Sequence, residues 1–426
     1  MSTTPSATPQ PIVAIVAPTA SARFGGEAIL PLHWFIRLRS RGIDAWLVTH
    51  ERTRDELATV LGPDIARVRF VKDTRLHRAL NAIGAKLPGK IGAAVKAPIV
   101  FDSQRQARTI VRELVHTNGV NLVHQPTPVS PRQPSLLHGV GAPVLIGPMN
   151  GGMEYPPAFR HWNRRSENLF VPVARAFTGM INWLLPGKRR ATLLLVANER
   201  TRLALPKTKV PVIELVENGV DLSIFGINEI ESRVGEPVRF LYAGRLQKLK
   251  AIDLLLHTWK KFHDSFRETH PTGAFLRIIG DGPERDRLMQ LAHEQNLGTS
   301  VFWDRFVPQA RVAEAMRQAD VFVLPSLHEC GGAVALEAMA CGTPVIAMNW
   351  GGPADYIDPS CGVLIEPMSQ DAVVDGLARE MARLGGDREL LIRMAHAGRA
   401  KVERLFDWDR KLDRMLEIYR SVLAHG

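Results

Sequence analysis

Cysteine is scarce: the 426-residue chain carries three, Cys330, Cys341 and Cys361. Three thiols cannot staple a small secreted scaffold, so stability has to come from a buried core, and a reducing cytosol is the expected compartment. Long apolar runs are missing too. The longest, Leu169 to Leu185, is interrupted by Pro172 and Arg175. It falls short of the roughly 20 apolar residues that cross a bilayer. The first eleven residues, MSTTPSATPQP, are polar and proline-rich and read as a disordered tail without a secretory signal. Aromatics make up only 7% of the chain. The basic residues are not interleaved with them and form no nucleic-acid-binding motif, so no nucleic-acid partner is expected. No Gly-x-Gly-x-x-Gly follows the first apolar run, which argues against a dinucleotide oxidoreductase. The histidines are scattered along the sequence and no Asp-x-Asp pair stands in a suitable loop, so neither a metal nor another cofactor is expected.

What is present is an ordinary globular composition, 45% hydrophobic and 23% charged, long enough for two domains. The net charge of +11 is unevenly spread: residues 1–205 hold 27 Lys and Arg against 12 Asp and Glu, and the remainder 27 against 31. A basic amino-terminal half points to an anionic acceptor or an anionic membrane surface. Lys188, Arg189 and Arg190, beside the apolar Met180 to Leu185, are the expected contacts with such a surface. That sets a second expectation for location, peripheral at the inner face of a membrane.

Pro11 to Ala17, PIVAIVA, is a continuous apolar run and reads as a buried parallel strand. A loop with Gly25 and Gly26 follows, then Glu27 to Arg41 with Ile29, Leu32, Phe35 and Ile36 at helical spacing, then a second strand over Ala45 to Val48. This is a Rossmann-like opening. Residues 72–101 read as helical and loop-rich, Phe101 to Thr117 as a helix, Val120 to His124 as a strand. Val144 to Ile146 leads into GPMNGGMEYPP, a loop at a strand's carboxyl end, where open α/β sheets place ligands. Past Pro206 to Pro211 the alternation begins again, with strands at Val212, Phe240, Leu276, Val301, Val321 and Val345.

The stretch PSLHECGGAVALEAMACGTPVIAMNWGGPADY, Pro325 to Tyr356, dominates the second half. A buried strand, Val321 to Leu324, precedes it. Gly331 and Gly332 open a helix of good formers, Ala333 to Ala340, which Gly342 stops. Glu329 precedes that helix and Glu337 lies eight residues further on. Free N–H groups at a helix start favour a phosphate, glycines let it approach, and flanking carboxylates accept hydrogen bonds from hydroxyls. A phosphate between two hydroxyl-reading acids describes a sugar nucleotide.

Four motifs stand in order: GRLQKLK, IGDGPERDRL, the loop Phe306 to Gln309, and HECGGAVALEAMACGTPVIA with GGPADY behind it. The chain resembles a family 4 retaining glycosyltransferase of the GT-B fold (glycosyl transferases group 1), most specifically over residues 215–360. The resemblance implies an α/β chain of two Rossmann-like domains facing across a cleft. It divides the chain into a tail (1–11), an acceptor-binding domain (12–205), a nucleotide-sugar-binding domain (206–405) and a terminal helix (406–426) returning to the first domain. It implies Arg245 and Lys250 as cations on the diphosphate, Glu329 on hexose hydroxyls, Glu337 on ribose hydroxyls, and Gly331 and Gly332 as backbone donors. Arg245, Lys250 and Glu329 would be the catalytic residues, without a metal and with retention at the anomeric carbon. Gly25 and Gly26 match the family's amino-terminal glycine loop. On the acceptor side, His124, Asn150, Gly151 and Gly152 are the candidates, because GPMNGG lacks the histidine many members carry. Glu217-Asn218-Gly219-Val220-Asp221 matches the family's Pro-Asn-Gly-Val-Asp turn with Glu217 in place of proline. The implied activity is transfer of a hexosyl unit from a nucleoside-diphosphate sugar to a glycan or lipid-linked acceptor. A nucleotide-sugar isomerase of the non-hydrolysing epimerase type is the alternative, and a non-catalytic glycan-binding relative is a third reading.

Overall fold

The structure is a computed structural model that describes residues 10–24, 26–87, 89–162, 185–227 and 235–425. The chain divides into two compact units. The first takes the described residues within Met1–Gly152, Phe170–Glu217 and Lys411–Gly426, the second those within Met153–Leu169 and Asn218–Arg410.

The first unit is built on seven strands: β1 (Val13–Val16), β2 (Ala45–His50), β3 (Val68–Val71), β4 (Leu122–Gln125), β5 (Val144–Met149), β6 (Leu193–Val196) and β7 (Val212–Glu214). They pair in parallel in the order β3-β2-β1-β4-β5-β6-β7. All four residues of β1 are buried, as a strand covered on both faces requires. Val16, Val48, Val123, Val144, Ile146 and Val196 share one core with Val111 and Leu114 of the helix Gly89–Asn118. The last helix, Trp408–His425, buries Leu412, Met415, Leu416, Ile418 and Tyr419, and from Lys411 onward it belongs to this unit.

Local chemistry explains the departures from the sequence expectations. The helix after β1 starts at Leu30, behind a 3-10 turn over Gly26–Ile29, because Pro31 suits a first helical turn. Residues 72–101 are mostly helix: Arg75–Lys86, then a start at Gly89 rather than Phe101, with Pro98 inside. Those two helices pack on each other, and that contact overrides the weak propensity of a Gly- and Pro-containing segment. The edge strand β3 was not anticipated; four residues leave almost no periodicity to read.

The second unit holds six parallel strands, β8 (Val238–Ala243), β9 (Ala274–Ile279), β10 (Val301–Asp304), β11 (Val321–Leu324), β12 (Val345–Met348) and β13 (Gly362–Ile365), in the order β10-β9-β8-β11-β12-β13. Phe240 on β8 meets Trp259 and Phe262 of the helix Ile252–Thr269 edge-on at 5.6 and 5.2 Å. Trp259 donates its indole N–H to Ser300 at 2.9 Å, so a fully buried ring keeps its one polar atom satisfied. In both sheets the order reverses beside the first strand, between β1 and β4 and between β8 and β11. An open parallel sheet leaves a crevice at the carboxyl ends of such a pair.

Candidate functional site

In the second unit the crevice lies where β8 runs into Gly244–Lys250 and β11 into Pro325–Gly332. Lys250 and Glu329 meet there as a hydrogen-bonded ion pair, each side chain only 16% exposed. Two local devices aim Lys250. Residues Lys248–Lys250 form a single 3-10 turn, and the buried Ala251 takes a left-handed conformation (φ 51°) that swings the chain into the helix Ile252–Thr269. A non-glycine residue in that region is uncommon, and here the smallest side chain holds it. Below the loop, the fully buried Tyr242 donates its hydroxyl to the Arg245 carbonyl at 3.2 Å. Burial, with the Glu329 charge adding to it, pushes this phenol well above its ordinary range and keeps it a neutral donor. The Arg245 side chain is exposed and its guanidinium has no partner among the described residues.

The glycines hold these loops against one another. A Cβ on Gly280 would lie 1.9 Å from the Gly244 carbonyl oxygen, and one on Gly282 2.3 Å from that of Leu246. The Gly-Asp-Gly turn therefore supports the Arg245 loop from behind. Gly332, at φ 63°, opens the helix Ala333–Ala340, and no side chain caps the helix start. Gly352 donates its N–H to the Glu329 carbonyl at 2.8 Å, with no room for a Cβ beside Gly331. Gly331, partly exposed, lies between these turns.

Glu337 differs from the solvated helix-surface glutamate that its type suggests. It is partly accessible, yet its carboxyl has no hydrogen-bond partner among the described residues, and desolvation raises its pKa to about 7. A carboxyl held in that state is a ready acceptor for a ligand hydroxyl. Sequence reading passed over the surroundings. The His328 ring lies against Tyr155, centroids 5.1 Å apart and tilted by 49°, and burial first, then the Lys250 charge, lowers its pKa against the pull of Glu329. Trp350 donates its indole N–H to the Glu154 carbonyl at 2.8 Å. The segment from Met153 thus wraps the donor-side loops of the second unit. Nothing in its composition, MEYPP, signals this.

The acceptor-side candidates of the first unit turn out differently. His124 is fully buried; its Nε2–H donates to the Gly147 carbonyl at 2.6 Å and its Nδ1 accepts from the Tyr419 hydroxyl at 2.6 Å. With both ring nitrogens engaged it clasps β4 to β5 and to the last helix and has nothing left for an acceptor, which corrects that expectation. Asn150 is also buried, and its amide donates to Glu217 at 2.7 Å. That contact gives a reason for glutamate where the related motif has proline. Gly151 donates its N–H to the Thr201 hydroxyl at 3.1 Å, and a Cβ on it would strike the Pro131 ring at 2.5 Å. Gly152, at φ 74°, has Ala204 in the same way at 2.7 Å. These residues pack the loop. Gly26 is exposed with open space around it, and Gly25 lies outside the described residues. Of the expected membrane contacts, Lys188 is buried and donates to the Ser130 and Pro131 carbonyls at 3.1 and 2.7 Å, with burial lowering its pKa to about 7. Arg189 and Arg190 are exposed, and Met180 to Leu184 lies outside the described residues. No helix among the described residues is long and apolar enough to cross a membrane.

His124 sets a pH dependence of stability. Burial lowers its pKa from 6.5 to about 4. Between those values the unfolded chain takes up a proton that the folded chain refuses, so its contribution is full above pH 6.5 and is lost as pH falls. From pH 6.5 to 5 the loss amounts to about 2 kcal/mol. Glu337 acts with the opposite sign between pH 4.5 and 7, so the measurement has to be a difference. The stability gap between wild type and His124→Gln in urea unfolding is expected to shrink from pH 7.5 to pH 5; a gap independent of pH contradicts the buried neutral imidazole.

Residues 227–400 match the family described as "Glycosyl transferases group 1". The match takes in the second unit's strands from β8 to β13. A D-inositol 3-phosphate glycosyltransferase of Thermomonospora curvata is 35% identical over 227 residues, covering 49% of this chain and 51% of that protein. A glycogen synthase of Mycobacterium tuberculosis is 30% identical over 208 residues, covering 49% and 48%. The match thus spans about half the length of these curated relatives. Among solved structures, the sucrose-phosphate synthase of Thermosynechococcus elongatus superposes with a TM-score of 0.66 at 19% identity, over 98% of this chain and 100% of that one. Anabaena HepE in complex with UDP gives 0.65 at 15% identity, over 96% and 99%. At these identities the structural likeness carries the fold: two parallel-sheet α/β domains of the GT-B type.

Proposed function

We propose that the protein is a retaining glycosyltransferase that moves a hexosyl unit from a nucleoside-diphosphate sugar to a glycan or lipid-linked acceptor. The observation that carries this is the convergence, at the β8/β11 crevice of the unit that matches the glycosyl transferases group 1 family, of an unpaired arginine, a Lys250–Glu329 ion pair, an uncapped glycine-opened helix and a desolvated Glu337. Arg245 and Lys250 would neutralise the diphosphate as charge develops on it, and the start of the helix would add N–H donors. Glu337 would accept from ribose hydroxyls and Glu329 from the hexose. Retention follows from attack on the donor face that carries the leaving phosphate, whose oxygen takes the acceptor proton. The two carboxylates then bind hydroxyls instead of serving as the nucleophile and acid of a retaining hydrolase. Fixed cations do the work that a metal would do on the diphosphate, so the donor site is proposed to be metal-independent. The basic first half favours an anionic or membrane-held acceptor. The isomerase alternative is dropped: the family that the second domain matches is one of transferases.

The test is incubation of the purified protein with UDP-hexoses, chosen because a solved relative holds UDP, and with soluble and lipid-linked glycan acceptors. Transfer with the donor's anomeric configuration kept in the product is expected, and UDP affinity by calorimetry should be the same in EDTA as in Mg²⁺. Epimerised nucleotide sugar formed without any acceptor would overturn the transferase reading. UDP binding that vanishes in EDTA and returns with Mg²⁺ would overturn the metal-free clamp.

A further inference from the structure

Histidines that are scattered in the sequence come together in the first unit, on residues with no part in the proposal above. His50 ends β2, Asp73 lies just past β3, and His77 sits in the first turn of the helix Arg75–Lys86. A ring nitrogen of each histidine and a carboxylate oxygen of Asp73 all lie within 4.8 Å of one another. His77 is fully buried, and its Nε2 stands 2.9 Å from Asp102 Oδ2. Asp102 can only accept there, so the ring proton sits on Nε2 and Nδ1 is left as a bare lone pair. That Nδ1 faces Asp73 Oδ1 at 3.8 Å, and both atoms are buried without a hydrogen-bond partner. Two desolvated lone pairs aimed at each other are costly unless something positive stands between them.

Everything around the pair holds it in place. The Asp73 N–H donates to Glu51 Oε1 at 2.5 Å, and Gln106 donates to Asp102 at 2.7 Å. A carboxylate behind a histidine is the usual arrangement that fixes the tautomer and orientation of a metal-bound imidazole. The His50 and His77 rings lie 6.1 Å apart and 29° from parallel. The contact from the Arg52 N–H to His50 Nδ1 is long, 3.3 Å, and gives way easily to a ligand. Charges facing the cluster are Glu51, Asp73 and Asp102 against Arg52, whose guanidinium is tied to Thr19. Lys72, Arg75 and Arg78 are exposed. The local balance therefore favours a cation.

We propose that His50, Asp73 and His77 bind a divalent first-row transition cation of the zinc class, with Asp102 orienting His77. Two metal bonds of about 2.1 Å span at most about 4.2 Å, so His77 Nδ1 and Asp73 Oδ1 are already within range, and a small rotation brings in His50. Two imidazoles and one carboxylate suit zinc, cobalt or iron(II) and disfavour magnesium and calcium, which take oxygen ligands. The ion joins the ends of β2 and β3 to two helices, and one position of a tetrahedron stays open for water.

The test loads the full-length protein with Zn²⁺, dialyses it, and measures metal per chain, alongside visible spectra with Co²⁺ and melting with and without Zn²⁺. Wild type is expected to keep one more equivalent than either His50→Gln or Asp73→Asn, to show a Co²⁺ band that both variants lack, and to melt higher with Zn²⁺ when they do not. Both substituted residues are partly exposed, so the variants should fold, and circular dichroism checks this. Equal metal content and equal melting shifts in all three proteins would overturn the site. So would an absence of Zn²⁺ binding to the wild type at micromolar concentration.

Discussion

Lys250→Ala is expected to lower kcat/KM by about two orders of magnitude with the fold retained, and Arg245→Ala by a comparable factor. A positioned donor to developing charge is worth roughly 3 kcal/mol, and each 1.4 kcal/mol is tenfold in rate. Arg245 is the simpler case: its side chain is exposed and unpaired, so its removal disturbs little else. Lys250 is pinned to Glu329 with both side chains largely shielded, and deleting it strands a carboxylate. Some of its effect could therefore come from a disturbed loop rather than a lost clamp. Glu329→Gln separates the two. It dissolves the ion pair while leaving the lysine, so UDP affinity should survive in Glu329→Gln and collapse in Lys250→Ala. Matching melting shifts and matching UDP affinities in the two variants would mean that the pair only holds the loop. The pairing also implies a change on donor binding. Lys250 cannot serve the diphosphate fully while it neutralises Glu329, and the carboxylate is released toward hydroxyl groups as the phosphate takes over the cation.

The legible half of this chain is the half with chemistry in its loops. Arg245, Lys250, Glu329, Gly331 and Gly332 sit at strand ends and a helix start whose boundaries follow from buried apolar runs and glycine punctuation, and Glu337 lies in the second turn of that helix. The helix Ala333–Ala340 and the strand Val321–Leu324 fall where the residues place them. What could not be read was burial of polar groups. His124 at a strand end gives the same sequence signal whether it faces solvent or Tyr419, and the partner that decides it lies 295 residues away. Lys188 in a basic triplet likewise gives no sign that it turns inward to two carbonyls. Asn150 pairs with Glu217 across 67 residues, and the only hint was that the turn departs from proline. The His50, Asp73 and His77 cluster escaped for the same reason. Its ligands lie 23 and 4 residues apart on three different elements, and β3, which brings Asp73 into place, has too few residues to announce itself.

Gly280→Ala is expected to abolish ordered donor binding without altering any group that would touch the donor. The Cβ would lie 1.9 Å from the Gly244 carbonyl oxygen, far inside any tolerable contact, and that atom is backbone, which cannot rotate away. Gly280 also adopts φ 153°, where an alanine is strained, so the substitution costs more than the ~1 kcal/mol typical of glycine replacement at positive φ. Relief requires the Gly244–Leu246 loop to move outward, and with it the Tyr242 to Arg245 hydrogen bond and the carbonyl of Leu246, which accepts from the Glu284 N–H at 3.1 Å. Arg245 would then leave its place beside the crevice by an ångström or more, enough to lose an aligned contact to a diphosphate. The expected readout is a lower melting temperature together with UDP affinity too weak to measure. Gly298→Ala is the control: it has nothing within 4 Å of the added carbon and should leave both unchanged. Gly280→Ala protein that binds UDP as wild type does would show that the Gly-Asp-Gly turn does not brace the Arg245 loop.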